Sequence, residues 1–531
     1  MMRTLRKSAV VFTLIMLAYS IYAGLFIYRT SYVIDGERYY VLFDDAMVSM
    51  RYARNLANGY GLVWNPGGER VEGYTNPLWV LYMSVFHLFP IALSKTSLLI
   101  QVSGALFLMV NLLVVKKIAD FISDNSALVS TSAVLLTAFY LPLNNWGLQG
   151  MEVSVLALIV SVSIWKALQC IKLNRFSMGL YFLLGVSTLV RIDMIVPFLA
   201  ILIYLVIVDP KNRGRHLLWG LGALGSFILL QTLFRVWYYG DILPNTYYLK
   251  MTGYPFLLRI ARGAWVLLEF IWRMGWVVFL IPFSILLFRR DKIVFLLLWV
   301  FLAQVTYSVY VGGDAWESWG GSNRYISIVM PVFFILFCYG LANIGMRLMS
   351  PTAKYAKYGM VALVLLSLIN FNAITGPEAW QEWLLITPAM DVARHEKVVK
   401  KALLLPKITN TRARVAVVWA GALPYFSDRY ALDLLGKSDR TIAHEDMRTP
   451  PADPSNPLST ITAFFPGHLK WDYSYSIGQL KPDIVAQLWE SREEAEPYLD
   501  NDYQEVVLQG STFYLLKGSD NIIWDKVKEL Q

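Results

Sequence analysis

The sequence predicts a polytopic α-helical membrane protein with a C-terminal extracytoplasmic α/β domain. Hydrophobic residues make up 56% of the 531-residue chain and charged residues only 16%, whereas soluble domains carry about 25% charged residues. Apolar runs long enough to cross a bilayer recur up to residue 375. We expect about eleven transmembrane helices, over residues 8–28, 98–115, 127–143, 153–169, 177–190, 194–208, 217–237, 270–288, 293–310, 326–345 and 358–374.

The distribution of basic residues sets the predicted orientation. With the N-terminus inside, every connection assigned to the cytoplasm contains Lys or Arg, which is the pattern of the positive-inside rule. The stretch 78–92 is short and contains Pro90, so we expect an interfacial segment there; counting it as a span would invert everything after it. On this topology the loop 29–97 and the tail 376–531 lie outside the cytoplasm.

Charge and cysteine content exclude several classes of protein. The net charge of +9 comes largely from short basic clusters between apolar runs, which indicates anchoring at the membrane surface instead of nucleic-acid binding. Cys170 and Cys338 lie inside apolar runs, so a disulfide framework is not expected. The five histidines show no zinc-ligand spacing. The expected environment is the lipid bilayer.

The tail differs in character from the preceding 375 residues. The runs "RVAVVWA", "YALDLL", "DIVAQLW" and "QEVVLQGSTFYLLKG" are strand-like and are separated by turn residues. We therefore predict two domains, a transmembrane catalytic domain over 1–375 that includes the loop 29–97, and a small α/β domain over 376–531. Acceptor recognition and simple capping of the membrane domain are both open as roles for the tail.

The segment 43–79, "FDDAMVSMRYARNLANGYGLVWNPGGERVEGYTNPLW", carries the chemistry. Its spacing predicts an amphipathic helix with Asp44 and Asp45 at its exposed N-terminal end. An alcohol is a poor nucleophile at neutral pH, and a carboxylate that accepts its proton accelerates transfer by roughly 10²- to 10⁴-fold. We predict Asp44 as general base. Asp45 has three open roles: to tune Asp44, to position the acceptor, or to bind a divalent cation such as Mg²⁺, Mn²⁺ or Ca²⁺.

Polar residues on the predicted outer face are candidates for donor or acceptor binding, because polar groups that converge on one side of a membrane domain usually line a site. Arg191, Lys250 and Arg324 are the phosphate candidates. Helix capping, turn formation or surface anchoring is the alternative for each residue. The full set is Arg51, Arg54, Glu69, Glu72, Tyr74, Asn76, Glu152, Arg191, Asp193, Asn245, Lys250, Asp314, Trp316 and Arg324.

The segment 43–79 resembles the first external loop of the GT-C superfamily of multi-span glycosyltransferases, and within it the family of mycobacterial terminal arabinofuranosyltransferases. Other stretches similar to that family are "GLQGME", "YYGDILPNTYYLK", "VGGD" before "NRYISIVMP", and "AGALPYFSDRYALDLLGKSD" in the tail. The resemblance implies that the acidic pair is essential for catalysis.

The resemblance further implies transfer of a sugar, D-arabinofuranose in that family, from a polyprenyl-phosphate donor. The acceptor would be a cell-envelope glycan or a surface glycoprotein such as a pilin, on the outer face of the bacterial cytoplasmic membrane. No nucleotide cofactor is expected, because the sequence contains no nucleotide-binding fingerprint. The alternatives are a GT-C enzyme that transfers a hexose and a polytopic transporter or flippase of lipid-linked sugars.

Overall fold

The structure is a computed structural model that describes residues 2–287, 291–315, 322–348, 353–373, 378–450, 453–456, 458–490 and 492–531. Several predictions fall on residues outside these ranges. They are the ends of the predicted spans at 288 and 374, the basic residues Arg289 and Arg290, the domain boundary at 375/376, and Trp316.

Helices dominate the described residues. They are α1 (Met2–Arg29), α2 (Asp44–Ala57), α3 (Pro77–His87), α4 (Leu93–Ile122), α5 (Ala127–Ala138), α6 (Leu141–Leu148), α7 (Val153–Leu173), α8 (Met178–Val190), α9 (Ile195–Val208), α10 (Arg213–Tyr239), α11 (Asn245–Met251), α12 (Phe256–Met274), α13 (Trp276–Ser284), α14 (Lys292–Tyr310), α15 (Arg324–Ser327), α16 (Met330–Leu348), α17 (Ala353–Ala373), α18 (Ala379–Trp383), α19 (Val392–Ile408), α20 (Ala422–Ser427), α21 (Arg440–His444), α22 (Ser459–Thr462), α23 (Arg492–Asp502) and α24 (Trp524–Leu530). The strands are β1 (Tyr32–Ile34), β2 (Glu37–Tyr39), β3 (Arg414–Val417), β4 (Tyr430–Asp433), β5 (Ile484–Val485), β6 (Tyr503–Leu508) and β7 (Ser511–Leu516).

Each predicted membrane span coincides with an apolar helix or with a bent pair of helices. Among the described residues, five helices are long and apolar enough to cross a membrane, or up to seven if each bent pair forms one span. The five lie at Ala9–Arg29, Leu93–Ile122, Val153–Leu173, Arg213–Tyr239 and Lys292–Tyr310, and shorter apolar helices lie at Met178–Val190, Ile192–Val208, Met330–Gly345 and Lys357–Ala373. The predicted polytopic fold is confirmed.

Two of the predicted spans are bent where continuous helices were expected. The pair α5 and α6 bends by 52°, and the pair formed by α12 with Trp276–Leu287 bends by 92°. Pro142 stands in the first turn of α6, where it removes a backbone donor. Gly275 adopts a φ of 88° between α12 and α13, a left-handed conformation that ends a helix. These two residues account for the breaks.

The stretch 78–92 contains a short helix. The helix α3 has 11 residues and is therefore about 16 Å long, roughly half the thickness of the hydrocarbon core. The chain then continues into α4 at Leu93. A helix of this length cannot span the bilayer alone.

The chain divides into two compact units, of which the first comprises 1–30, 101–231 and 257–390. The helix α16 runs through the interior of this unit, and its described side chains up to Tyr339 are all buried. Phe333 on α16 packs against Phe301 and Phe279 with ring centroids 5.4 and 5.9 Å apart, and Phe337 packs 5.5 Å from Phe371. An all-round apolar helix of this kind forms the centre of a helical membrane domain.

The second unit comprises 31–100, 232–256 and 391–531, so the loop after α1 and the tail fold together. Its centre is a five-stranded sheet of order β4-β3-β5-β7-β6. The strand β3 is parallel to β4 and β5, while β7 is antiparallel to both β5 and β6. The four strand-like runs of the tail thus form this sheet, and the predicted α/β fold of the tail is confirmed.

The predicted orientation can be tested by cysteine labelling at two sites. Asn58 and Ser455 are exposed side chains of the second unit, and the positive-inside rule places both outside the cytoplasm. In intact spheroplasts, cysteines introduced at either position should react with a membrane-impermeant maleimide without prior lysis. Protection of both cysteines until lysis would contradict the orientation.

Candidate active site

The acidic pair lies at the start of α2, and Asp44 is held by the backbone of the tail. Its Oδ1 accepts a hydrogen bond from the backbone N–H of Ala422 at 2.8 Å, and its Oδ2 accepts one from Gly421 at 3.3 Å. The sequence predicts an exposed Asp44, but the residue is partly buried because the tail segment 421–422 covers the first turn of α2. The loop and the tail therefore build this site jointly within one unit.

Only glycine can occupy position 421 in this arrangement. A Cβ atom on Gly421 would lie 2.1 Å from the backbone oxygen of Asp44 and 2.8 Å from its Oδ1. Such distances are far below van der Waals contact, so any side chain would push the tail segment away from α2. The close approach of two backbones thus fixes the position of the Asp44 carboxylate.

Asp44 is suited to accept a proton near neutral pH. Burial raises the pKa of Asp44 to about 6, although Lys437 and the two amide hydrogen bonds favour its charged form and act in the opposite direction. An efficient general base has a pKa close to the working pH. The two amides occupy about half of the lone-pair positions of a carboxylate, which leaves acceptor capacity for a hydroxyl proton.

Asp45 forms an ion pair with Lys437 of the tail, and the two side chains are only 17% and 12% exposed. Burial alone would lower the pKa of Lys437, but the charges of Asp45 and Asp44 raise it above its ordinary value. Lys437 therefore stays cationic beside both carboxylates. Sequence analysis did not single it out, although it lies in the tail stretch "LLGKSD" that resembles the arabinofuranosyltransferase family.

The described residues do not form a cation site at Asp45 by themselves. Within these ranges, no group of three or more His, Cys, Asp or Glu residues is placed to hold a metal ion, and the ammonium group of Lys437 contacts Asp45 directly. Divalent cations favour several oxygen ligands. A divalent cation at Asp45 stays a prediction.

Arg51, predicted to bind donor or acceptor, is instead enclosed within the second unit. Its guanidinium donates to the backbone oxygens of Trp64 at 2.6 Å and Arg429 at 2.9 Å, and to Oδ1 of Asn65 at 2.9 Å. Only 4% of the residue is exposed, and burial lowers its pKa to about 9. The bond to Arg429 joins the loop to the residue just before the strand β4.

The other candidate residues of this unit also have partners inside it. Lys250 lies against Gly467, where a Cβ atom would be 3.0 Å from its side chain, and its charge helps burial to lower the pKa of His468 to about 3. The remaining contacts are Arg54 with Asp428, Glu69 with Arg440, Glu72 with Arg235, Tyr74 with Tyr239, Asn76 with Ser49, and Asn245 with the carbonyl oxygens of Gly436, Lys437 and Asp439.

Five further candidates come together within the first unit. Arg191 donates to Asp193 and to Glu152, the latter at 3.2 Å, and Nε of Arg324 lies 2.7 Å from Asp314. Both guanidinium groups face the ring of Tyr325, at 5.0 and 5.6 Å from its centroid, and link the two ion pairs into one cluster. Arg191 and Arg324 stay predicted phosphate ligands. The remaining candidate, Trp316, lies outside the described residues.

Two solved structures share the fold of this chain. ArnT from Cupriavidus metallidurans bound to undecaprenyl phosphate matches with a TM-score of 0.50 and 12% identity, over 96% of this chain and 98% of that one. The oligosaccharyltransferase of Archaeoglobus fulgidus in the apo form matches with a TM-score of 0.55 and 11% identity, over 97% and 75% of the two chains. At these identities the likeness concerns the fold.

Sequence comparison points to a narrower group. The chain is 28% identical over 215 residues to the terminal β-(1→2)-arabinofuranosyltransferase of Mycobacterium tuberculosis. The match covers 38% of this chain and 34% of the relative. The chain therefore matches about a third of that relative's length. Residues 390–521 match a family model described as a domain of unknown function, DUF8728. The resemblance to the GT-C superfamily is confirmed, and the chain is arabinofuranosyltransferase-like in sequence.

Proposed function

We propose that this protein is a membrane glycosyltransferase that transfers D-arabinofuranose from a polyprenyl-phosphate donor to a cell-envelope acceptor. The observation that carries the proposal is the carboxylate of Asp44, which two backbone amides hold in place and whose pKa burial raises to about 6. A fixed base of this kind is what transfer to a hydroxyl group requires. The work would take place on the outer face of the bacterial cytoplasmic membrane.

Two of the comparisons support a lipid-linked pentose as the donor. The ArnT structure contains undecaprenyl phosphate, a polyprenyl phosphate of the class that the resemblance implies. The sequence relative is named for arabinofuranose transfer. Together they favour a lipid-linked pentose over a nucleotide sugar as donor.

The reaction at Asp44 would be a direct displacement at the anomeric carbon. The acceptor hydroxyl forms a bond to that carbon while its proton passes to Asp44, and the bond from carbon to the phosphate oxygen breaks. The electron pair leaves with the lipid phosphate, and the configuration at the anomeric carbon inverts. Lys437 supplies positive charge next to the acidic pair, and this charge favours the ionised form of Asp44.

Asp45 then has a positioning role within the same unit. Its carboxylate forms an ion pair with Lys437, whereas Asp44 accepts hydrogen bonds from two neutral backbone amides. Two adjacent carboxylates thus lie in different environments, and this difference separates their roles as base and support.

The test is an assay of the purified protein in lipid with a panel of polyprenyl-phosphate sugars. With synthetic arabinan and galactan fragments as acceptors, we expect turnover of polyprenyl-phosphate arabinofuranose and a product with inverted anomeric configuration. If only a polyprenyl-phosphate hexose were turned over, the transferred sugar would be a hexose and not arabinofuranose. Movement of a lipid-linked sugar across vesicles without any transfer would support the transporter alternative and contradict the proposal.

A further inference from the structure

A cleft lies in the α/β unit, at the edge of the sheet where β3 and β5 end. It has a volume of about 440 Å³, within the range of small-molecule sites. Among its lining residues are Trp419 after β3, Gln487 and Trp489 after β5, and Tyr514 on β7. Ligands of sheets with parallel strands bind outside the carboxyl ends of those strands, which is where this cleft opens.

The aromatic residues of the cleft are only partly covered by protein. Trp419, Trp489 and Tyr514 are all half-buried. The indole nitrogen of Trp489 donates to the carbonyl oxygen of His468 at 3.1 Å, which fixes its ring. The guanidinium group of Arg492 lies over the ring of Tyr514, 5.7 Å from its centroid. The exposed parts of these rings provide flat apolar surfaces next to polar groups.

The amide group of Gln487 also lines the cleft and is held in place. Oε1 of Gln487 accepts hydrogen bonds from the backbone N–H groups of Val418 at 3.0 Å and Trp419 at 2.8 Å. Because the oxygen is committed to the backbone, the amide nitrogen must point away from it and offers its two donors to the cleft. The site thus combines stacking surfaces with an oriented hydrogen-bond donor.

The charges of the cleft do not favour a polyanion. Arg492 is paired with Glu505 at 2.9 Å, and both residues line the cleft. Lys401 donates to the carbonyl oxygen of Ala486, and burial lowers its pKa to about 8. Both cations already contact protein oxygens, Arg492 a carboxylate and Lys401 a carbonyl group. Aromatic faces and an amide match a neutral chain of hydroxylated rings, since the C–H faces of sugars stack on aromatic rings and their hydroxyls accept from amides.

The cleft lies near the acidic pair. Trp419 lines the cleft, and the backbone N–H of Gly421, two residues later, binds Asp44; two residues span at most about 7 Å. His395 packs between the two regions, with its ring centroid 5.3 Å from Trp419 and 6.4 Å from Phe43, the residue before Asp44. A chain of rings lying in the cleft would thus have its end near the catalytic carboxylate.

We propose that this cleft binds the saccharide chain of the acceptor, with Trp489 and Tyr514 as stacking surfaces and Gln487 as donor. The proposal rests on the function proposed above only because it identifies the bound saccharide as the acceptor. Binding of the saccharide to the cleft does not itself require sugar transfer. It favours a glycan over a polypeptide as the acceptor.

Isothermal titration of the full-length protein in lipid nanodiscs tests the proposal. The probes are short neutral linear oligosaccharides of arabinofuranose, galactofuranose, mannose and glucose, together with an unglycosylated peptide. We expect at least one oligosaccharide to bind, and Trp489→Ala and Tyr514→Ala to weaken its binding at least about tenfold. Trp489→Phe keeps an aromatic face and should retain most of the affinity, as should the matched control Trp524→Ala, which lies outside the cleft.

Each outcome separates the cleft from the catalytic proposal. Asp44→Asn should bind the oligosaccharide like the wild type. If the wild-type protein bound an oligosaccharide but transferred no sugar, the proposed function would be contradicted and the saccharide site in the cleft would still stand. Normal binding and transfer by both alanine variants, with thermal unfolding unchanged, would contradict the saccharide site in the cleft. The proposed glycosyltransferase function would not be affected by that result. Binding of none of the oligosaccharides, or of the peptide alone, would also overturn it.

Discussion

Replacement of Asp44 by Asn is expected to lower kcat by at least about 10²-fold while donor binding stays near the wild-type level. Asn preserves the shape of the side chain, and its carbonyl oxygen can keep the 2.8 Å hydrogen bond to Ala422. It lacks the basic oxygen that would take the hydroxyl proton. The loss should therefore fall on the chemical step, measured by single-turnover kinetics with saturating polyprenyl-phosphate sugar.

The pH dependence gives the same residue a second readout. The base works only when ionised, and burial raises the pKa of Asp44 to about 6. The wild-type kcat/KM should thus be level above that pH and fall about tenfold per pH unit below it. The residual rate of the Asn variant should lack this acid limb.

Asp45→Asn serves as the control for the roles within the pair. It removes the counter-charge of Lys437 and should be impaired, with the acid limb of the profile shifted because the charge of Asp45 itself raises the pKa of Asp44. A dead Asp45→Asn with a nearly normal Asp44→Asn would reverse the two assignments. Normal turnover by both variants would show that the two carboxylates are not catalytic and serve only the structure at the start of α2.

The membrane part of the fold could be predicted because it depends on local composition. A run of apolar residues is helical in a bilayer whatever its neighbours are, since backbone groups must be satisfied within the segment. The bends at Pro142 and Gly275 were missed because a hydropathy pattern reports where apolar residues lie, and not how the backbone turns between them. The strand-like runs of the tail were predictable for a similar local reason, their β-branched residues and bounding turns.

The candidate site could be predicted only in part, because half of it comes from the other end of the chain. Asp44 and Asp45 lie in a long recognisable motif, whereas Gly421 binds Asp44 across 377 residues and Lys437 binds Asp45 across 392. A single sequence does not show which residues are in contact, so it gives no reason to select Lys437 from the other lysines as the partner of Asp45. The tail had been assigned to acceptor recognition or capping, and its structural share in the acidic site was not foreseen.

Arg51 shows the opposite difficulty. An arginine in a polar external loop is a reasonable candidate for binding a phosphate or a sugar. In the structure, the N–H groups of Arg51 donate to the carbonyl oxygens of Trp64, Pro424 and Arg429 and to the side chain of Asn65. Buried carbonyl groups need donors, and a guanidinium with five N–H groups can satisfy several at once. Side-chain type alone does not distinguish these two uses.

Gly421→Ala is expected to lower kcat by about 10²-fold although position 421 carries no reacting group. The new Cβ atom would lie 2.1 Å from the backbone oxygen of Asp44 and 2.8 Å from the Cβ atom of Met47. Since neither is the end of a flexible side chain, the tail segment or the start of α2 must move. Both amide hydrogen bonds to the carboxylate would lengthen, and a displacement of about 1 Å at a catalytic group is enough for such a loss.

The matched control is Gly222→Ala, because a Cβ atom at that helical glycine would meet nothing within 4 Å. It should keep full activity and a thermal unfolding temperature at or slightly above that of the wild type, since Ala favours a helix. Gly421→Ala should stay folded in lipid, and its acid limb should move from the wild-type position because the lost amide bonds no longer favour the charged form of Asp44, which raises its pKa. Wild-type turnover together with an unshifted acid limb would show that the tail amides do not hold the catalytic carboxylate, and Asp44 would then act without the support of residues 421–422.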